Sequence, residues 1–169
     1  VATVVRNASS LEMTGLELEA IYRVSEAFDL MVMYGYLDSE YANYFADLTG
    51  DGVVTDNSDL VARNTPENTL GVTAAYTAQL GSGDLKARVS YRFRDSMETN
   101  SSNNPLGTLD SIGNVNATLT YSVNNYQATL WGRNITDERE QRWATIGGLT
   151  SRGWWNEPAT YGVTVSASF

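Results

Sequence analysis

Residues Ala159–Phe169 read A-T-Y-G-V-T-V-S-A-S-F, and this stretch decides the fold class. Every second residue, beginning with Ala159 and including Tyr161, Val163 and Val165, is apolar, whereas the residues between them are small and mostly polar. Successive side chains of a β-strand point to opposite faces of its sheet. The alternation therefore predicts a strand with one apolar face and one polar face.

The same period of two recurs along the chain, and the many Tyr, Thr and Val residues favour strands over helices. Most of the alternating segments have about 10 residues, which is the length that a tilted strand needs to cross a bilayer. The segments are Leu16–Val24, Phe28–Leu37, Leu70–Leu80, Leu85–Arg94, Val115–Val123 and, more weakly, Tyr126–Asn134, with Val1–Arg6 as the stub of a further strand. The sequence predicts an all-β protein, an antiparallel up-and-down meander of about 7–8 strands.

The predicted connections alternate between short and long. The short ones are Ser25–Ala27, Gly81–Gly83 and Asn124–Asn125; the long, polar ones are Ser39–Glu67, Ser96–Leu109 and Thr136–Glu157. Short turns at one end and long loops at the other are typical of a transmembrane β-barrel. In that case the apolar face meets lipid, and the polar face lines a water-filled lumen. The alternative is a soluble all-β binding module, whose apolar face packs inside.

Composition excludes several classes of protein. The 169 residues carry a formal charge of −9, which argues against a nucleic-acid partner. Without cysteine or histidine, the chain has no disulfide, no Ser-His-Asp triad and few routes to a zinc site. No apolar run approaches the roughly 18 residues of a membrane-spanning helix. We find no catalytic constellation and expect no enzyme.

Five segments together resemble the C-terminal part of a TonB-dependent outer-membrane receptor. They are R-N-A-S-S-L-E-M-T-G-L-E-L-E (Arg6–Glu19), Y-G-Y-L-D-S-E-Y (Tyr34–Tyr41), N-T-P-E-N-T-L (Asn64–Leu70), L-W-G-R-N-I-T-D-E-R (Leu130–Arg139) and P-A-T-Y-G-V-T-V-S-A-S-F (Pro158–Phe169). They occur in the family's order and cover most predicted strands. The resemblance implies that residues 1–169 form part of a barrel of roughly 22 strands, whose plug domain and earlier strands are absent here.

The resemblance also implies a function, a location and partners. The whole receptor would take up a scarce solute (a siderophore, vitamin, oligosaccharide or similar) across the outer membrane of a Gram-negative bacterium, energised through TonB by way of the missing N-terminal part. Outer-membrane lipid and lipopolysaccharide, the rest of the barrel and its plug would surround this chain. The barrel assembly machinery would read a C-terminal signal, whose elements are Thr160, Gly162, Val165, Ala167 and Phe169. The alternative is a free-standing eight-stranded outer-membrane barrel with a structural or adhesive role.

The first long connection contains a calcium-like loop. Its oxygen ligands would be Asp47, Thr49, Asp51 and the Val53 carbonyl, with Gly52 at the sixth position. The twelfth position is Ser58 instead of glutamate, and Asp59 follows one residue later. The alternative is an acidic, solvated loop.

Charged residues fall in the polar phase of two predicted strands and would line the lumen wall. They are Glu17, Glu19, Lys86, Arg88, Arg92 and Arg94. The four cationic residues either attract an anionic solute or a plug carboxylate, or they form structural salt bridges with acids of neighbouring strands, such as Glu17 and Glu19.

The last long connection is rich in tryptophan and arginine. We expect its exposed rings to stack on a sugar or a planar ligand. The candidate ligand-binding residues are Trp143, Trp154, Trp155, Arg142 and Arg152, with Tyr44 in the first connection as a weaker candidate. The alternatives are loop packing and an aromatic belt at the outer interface.

Overall fold

The computed structural model describes residues 10–147 and 150–169. The predicted stub Val1–Arg6 lies outside the described residues. In the part that is described, every strand has at least one antiparallel partner. The strands are β1 (Ser10–Ser25), β2 (Phe28–Asn43), β3 (Phe45–Ala46), β4 (Thr55–Asp56), β5 (Asn68–Leu80), β6 (Gly83–Arg94), β7 (Met97–Glu98), β8 (Thr108–Leu109), β9 (Ile112–Val123), β10 (Tyr126–Arg133), β11 (Gln141–Gly147), β12 (Thr150–Trp155) and β13 (Thr160–Ala167).

Seven strands form one antiparallel sheet, which we call the wall. Its order is β1-β2-β5-β6-β9-β10-β13, so each wall strand pairs with the next wall strand along the chain. All seven strands predicted within the described residues are present, and the three tight turns join them at one end. Asn124 and Gly81 begin two of these turns with φ of 49° and 62°, the left-handed conformation that two-residue hairpins require. The all-β meander is therefore confirmed.

The ends of the wall strands differ from the prediction. Strands β1 and β2 have 16 residues each and stay paired through Thr14 and Asp38, beyond the apolar alternation. Backbone pairing continues there although Glu12 and Thr14 interrupt the apolar face and Leu11 and Met13 lie on the opposite face, so the alternation alone does not detect it. Strands β10 and β13 are shorter than predicted, with 8 residues each.

The register sorts the wall into an apolar face and a polar face. Leu30, Ala74, Val89 and Ala117 lie side by side on four neighbouring strands, in one apolar row. The apolar face is not packed in a core: Val89, Leu119 and Val165 are 48%, 41% and 72% exposed. A soluble module that hides its apolar face would bury these side chains, so the exposure favours the outward-facing arrangement.

The three long connections, residues 44–67, 95–111 and 134–159, form what we call the loop layer at the other end of the wall. They were predicted as loops, but each contains a two-stranded hairpin: β3–β4, β7–β8 and β11–β12. Hydrogen bonds tie them together: Val61 N–H donates to Asn103 Oδ1 over 2.7 Å, and Thr99 Oγ1 donates to the Ala144 carbonyl over 3.0 Å.

Within the described residues, the buried apolar side chains all belong to the loop layer. They are Tyr44, Ala46, Ala62, Leu109 and Ala144. Among the same residues, no helix has the length and hydropathy needed to cross a membrane.

Candidate solute-binding surface

The charged residues predicted for the lumen wall do share the polar face, but they do not pair as one alternative proposed. Glu17 lies in the same row as Arg94, and Glu19 lies in the same row as Arg92. Strands β2 and β5 separate each pair, so the backbones are about 14 Å apart, three spacings of roughly 4.8 Å. Glu17 and Glu19 therefore do not lie on a strand next to these arginines, and neither forms an ion pair with them among the described residues.

Arg94 instead pairs with the loop layer. Its guanidinium donates to Glu140 Oε1 over 3.2 Å and to the Asp95 carbonyl over 2.6 Å. Glu140 also forms an ion pair with Arg142, in which Oε2 lies 3.6 Å from the Arg142 Nε. Both Arg94 and Glu140 have side chains less than one-fifth exposed, so this pair anchors the third connection on the wall.

A cavity of about 700 Å³ lies where the polar face meets the third connection. Its sides are formed by the end of β6, the start of β9, the end of β10, the base of the β11–β12 hairpin and the residues that flank this hairpin. The polar and aromatic residues that line it are Arg92, Phe93, Arg94, Asn114, Asn116, Arg133, Asn134, Glu140, Arg142, Trp155, Asn156 and Glu157. The volume falls within the range of about 300–1,000 Å³ that small-molecule sites occupy.

Asn134 holds the base of this cavity, and the sequence analysis did not identify it. The side chain is 5% exposed, and the backbone has φ of 49°. Its Oδ1 accepts from Asn114 Nδ2 over 2.9 Å and from Glu138 N–H over 3.0 Å. Its Nδ2 donates to the carbonyls of Glu138 and Glu157 over 2.9 and 3.1 Å. The only available signal was its position within L-W-G-R-N-I-T-D-E-R.

The tryptophans of the third connection form an exposed aromatic surface. Trp143 on β11 and Trp154 on β12 stack, with ring centroids 4.8 Å apart and planes 24° from parallel. Trp143, Trp154 and Trp155 are 41%, 68% and 63% exposed, and Arg142 and Arg152 are also exposed. Their rings are available to a solute, and Trp155 lines the cavity.

Tyr44 does not belong to this surface, and its assignment as a ligand-contacting residue is wrong. It is 8% exposed, and its ring lies 4.7 Å from that of Tyr41. The ring therefore packs inside the loop layer, where a solute does not reach it.

The calcium-like loop is organised by its own backbone. Asp47 accepts hydrogen bonds from Gly50 N–H over 2.6 Å, Gly52 N–H over 2.9 Å and Thr49 Oγ1 over 3.3 Å. The hydrogen bond from Gly52 N–H has the largest effect and that from Gly50 N–H the next, and both lower the pKa of the Asp47 carboxyl from its usual value. In residues 10–147 and 150–169, no three Asp, Glu, His or Cys side chains gather as a metal site, and Asp59 lies outside the Asp47 turn. Calcium binding by Asp47, Thr49, Asp51, Val53 and Asp59 stays a prediction.

The predicted assembly signal lies on the edge strand β13 and just beyond it. Val165 is 72% exposed on the apolar face, and Phe169 is fully exposed. Gly162 lies directly opposite Trp131, and a Cβ at Gly162 would collide with the indole ring. The glycine thus makes room for a cross-strand tryptophan whose Nε1 donates to Thr164 Oγ1 over 3.2 Å. Recognition of this segment stays a prediction.

The fold and the surface together define a class of protein. A meander of paired strands has short turns at one end, a packed loop layer at the other, an exposed apolar face and a charged polar face, which is the layout of a transmembrane β-barrel wall. A model of the family described as "TonB dependent receptor-like, beta-barrel" matches residues 1–135. The chain belongs to this family of TonB-dependent receptor barrels.

Three solved siderophore receptors have a similar fold. The ferric yersiniabactin uptake receptor FyuA from Yersinia pestis aligns over 94% of this chain, with a TM-score of 0.76 and 16% identity. The siderophore receptor PiuA from Acinetobacter baumannii aligns over 92%, with a TM-score of 0.72 and 21% identity. BauA, the ferric preacinetobactin receptor from the same organism, aligns over 94%, with a TM-score of 0.67 and 20% identity. The chain spans 24%, 21% and 22% of the lengths of these three proteins.

Proposed function

We propose that this chain is the C-terminal barrel portion of an outer-membrane receptor that takes up a ferric siderophore in a Gram-negative bacterium, energised through TonB. The wall would face lipid with its apolar side and enclose the lumen and plug with its polar side. The loop layer would capture the solute outside the cell. The chain would bind and conduct the solute without any chemical step.

One observation carries the proposal. The cavity of about 700 Å³ is built jointly by the polar face of the wall and by the third connection, beside exposed tryptophans. A solute bound there would touch both the loop layer and the lumen wall, as uptake through the barrel requires. The family match and the three siderophore receptors of similar fold support the solute class.

The test is receptor-dependent iron uptake with the full-length protein. A strain lacking the receptor gene would be complemented with the wild type, with Trp143→Ala/Trp154→Ala, or with Tyr126→Ala, and supplied with radiolabelled iron on a panel of siderophores. Tyr126 is a matched control because it is an exposed aromatic residue at the tight-turn end of the wall. A parallel strain would lack the TonB protein.

We expect uptake of at least one ferric siderophore to need both the receptor and TonB. The double tryptophan variant should reduce uptake about tenfold, because a ring that loses a stacking partner forfeits roughly 0.5–1.5 kcal/mol. Tyr126→Ala should leave uptake unchanged. Uptake that is the same with and without the receptor for every siderophore tested, or that persists without TonB, would overturn the proposed function.

A further inference from the structure

Cationic side chains are concentrated at the loop-layer end of the polar face. Arg92 and Arg94 lie at the end of β6, Arg133 ends β10, and Arg142 lies in β11. All four line the cavity of about 700 Å³, where the acidic residues are Glu140 and Glu157. The whole chain has a formal charge of −9, so this local excess of positive charge runs against its composition.

The excess charge is not neutralised within the described residues. Arg94 and Arg142 share the single carboxylate of Glu140, over 3.2 and 3.6 Å. The Arg92 side chain has no ion pair or hydrogen bond to the described part of the chain. Arg133 has only the indole of Trp131, 5.4 Å from the guanidinium carbon to the ring centroid. The guanidinium groups of Arg92 and Arg133 therefore line the cavity without a hydrogen-bond acceptor among the described residues.

We propose that this cavity binds an anionic solute, held by Arg92 and Arg133 through carboxylate, phosphate or catecholate oxygens. A guanidinium presents a planar set of N–H donors that matches two oxygens at once, and its charge strengthens each hydrogen bond. Trp155, which is 63% exposed in the same lining, offers a ring face to a planar part of the solute. This inference rests on the proposed function and names the charge class of its substrate.

A plug carboxylate is the other occupant that would suit two free arginines. The lining favours a solute, because Glu140, Arg142, Trp155 and Glu157 belong to the third connection and place the cavity at the loop-layer rim. The acidic residues Asp47 and Asp56 of the first connection do not line this cavity. Their carboxylates accept N–H groups of their own turns.

The test compares two ferric chelates of similar size and different charge. The full-length receptor, purified in detergent, would be titrated with a trianionic ferric tris-catecholate and with a neutral ferric tris-hydroxamate, with quenching of tryptophan fluorescence as the readout. The variant is Arg92→Gln/Arg133→Gln. The matched control, Lys86→Gln/Arg88→Gln, removes two positive charges from the same face of β6 outside the cavity lining.

We expect the anionic chelate to bind roughly tenfold or more tightly than the neutral one, since each charge-assisted contact contributes about a factor of ten. Arg92→Gln/Arg133→Gln should abolish that preference, and the control should keep it. Equal binding of the two chelates, no binding of the anionic chelate, or equal losses in both variants would overturn the inference. Normal binding by Arg92→Gln/Arg133→Gln with a plug that unfolds at lower urea would overturn it and assign the arginines to the plug.

The uptake assay separates this inference from the proposed function. Receptor- and TonB-dependent uptake of a neutral siderophore alone would leave the proposed function standing and reject the anionic solute. Absence of receptor-dependent uptake for every chelate would reject the proposed function itself.

Discussion

The wall and the loop layer are stabilised in different ways. The wall has the long strands and most of the backbone pairing, yet its large apolar side chains, such as Leu119 and Val165, are exposed. The loop layer has short hairpins, but it contains the buried apolar residues of the described chain, such as Leu109 and Ala144. The wall therefore depends on an apolar environment and on neighbouring strands, whereas the loop layer has a small core of its own.

The two regions also use polar groups differently. On the polar face of the wall, Arg88 and Arg92 have no partner in the part of the chain that is described. In the loop layer, Asn134 and Asn156 satisfy backbone groups across the base of the third connection: Asn156 Oδ1 accepts from Glu140 N–H over 3.0 Å. Arg88 and Arg92 of the wall are therefore available to water or a ligand, whereas these two asparagines hold the backbone of the third connection in place.

The largest expected effect tests the orientation of the wall. Ala74 lies on the apolar face between Leu30 and Val89, and Ala75, the next residue, lies on the polar face between Asp29 and Arg88. Ala74→Arg should destabilise the receptor in lipid vesicles by about 2–4 kcal/mol, because its charge would enter hydrocarbon. Ala75→Arg, on the water-facing side, should change the stability by no more than about 0.5 kcal/mol. Urea unfolding in vesicles, followed by heat-dependent gel mobility, measures both.

The pair of alanines makes the test decisive, since the two substitutions add the same side chain one residue apart. Equal losses of stability would mean that the apolar face does not meet lipid, and a larger loss for Ala75→Arg would reverse the orientation. Either result would remove the physical basis for a transmembrane wall.

The sequence predicts the wall better than the loop layer, and the reason is physical. Alternation records which face of a strand is apolar, so Leu85–Arg94 and Val115–Val123 could be identified without any tertiary information. The extension of β1 to Ser10 could not, because pairing outside the apolar band needs only backbone groups. The assembly of the loop layer depends on contacts between residues far apart in sequence, such as Val61 with Asn103.

The candidate solute-binding surface could also be predicted from the sequence only in part. Exposed tryptophans and the charged face of β6 were found from residue type and phase. The burial of Tyr44 and the bonds of Asn134 were not, because each depends on partners that only the folded loop layer brings together. The pairing of Arg94 with Glu140 joins residues 46 positions apart, so strand phase could not reveal it.

The next effect tests the polar core of the loop layer. Asn134→Ala should destabilise the third connection by about 2–3 kcal/mol, because a buried amide with several hydrogen bonds is lost and alanine is strained at positive φ. Asn124→Ala is the matched control: its φ is also 49°, but the residue is exposed in a tight turn. It should cost about 1 kcal/mol.

Limited proteolysis of the third connection and urea unfolding of the full receptor distinguish these outcomes. Asn134→Ala should expose the third connection to protease while the wall keeps its heat-modifiable mobility. Identical effects of the two substitutions would show that left-handed backbone strain, and not the amide, accounts for the loss. Asn134→Gly, which removes the strain and keeps the amide absent, should recover only part of the stability.

The smallest expected effect is the loss of stability of the Asp47 turn, in the first connection, at low pH. Hydrogen bonds from Gly52 and Gly50 hold the pKa of Asp47 below its usual value. Because the folded carboxyl has the lower pKa, the turn is stabilised above the unfolded pKa of about 3.9 and loses that contribution as the pH falls through the folded pKa. Hydrogen-exchange protection of the Gly50 and Gly52 amides should therefore be constant near neutral pH and decline in acid. Asp47→Asn should remove this pH dependence, whereas Asp59→Asn, which alters a carboxylate outside the turn, should keep it. Protection that is insensitive to acid in the wild type would contradict the role of Asp47.

Adding calcium at neutral pH tests the predicted calcium site in the same assay. Bound calcium should increase protection in the wild type and not in Asp47→Asn, and unchanged protection would reject the site.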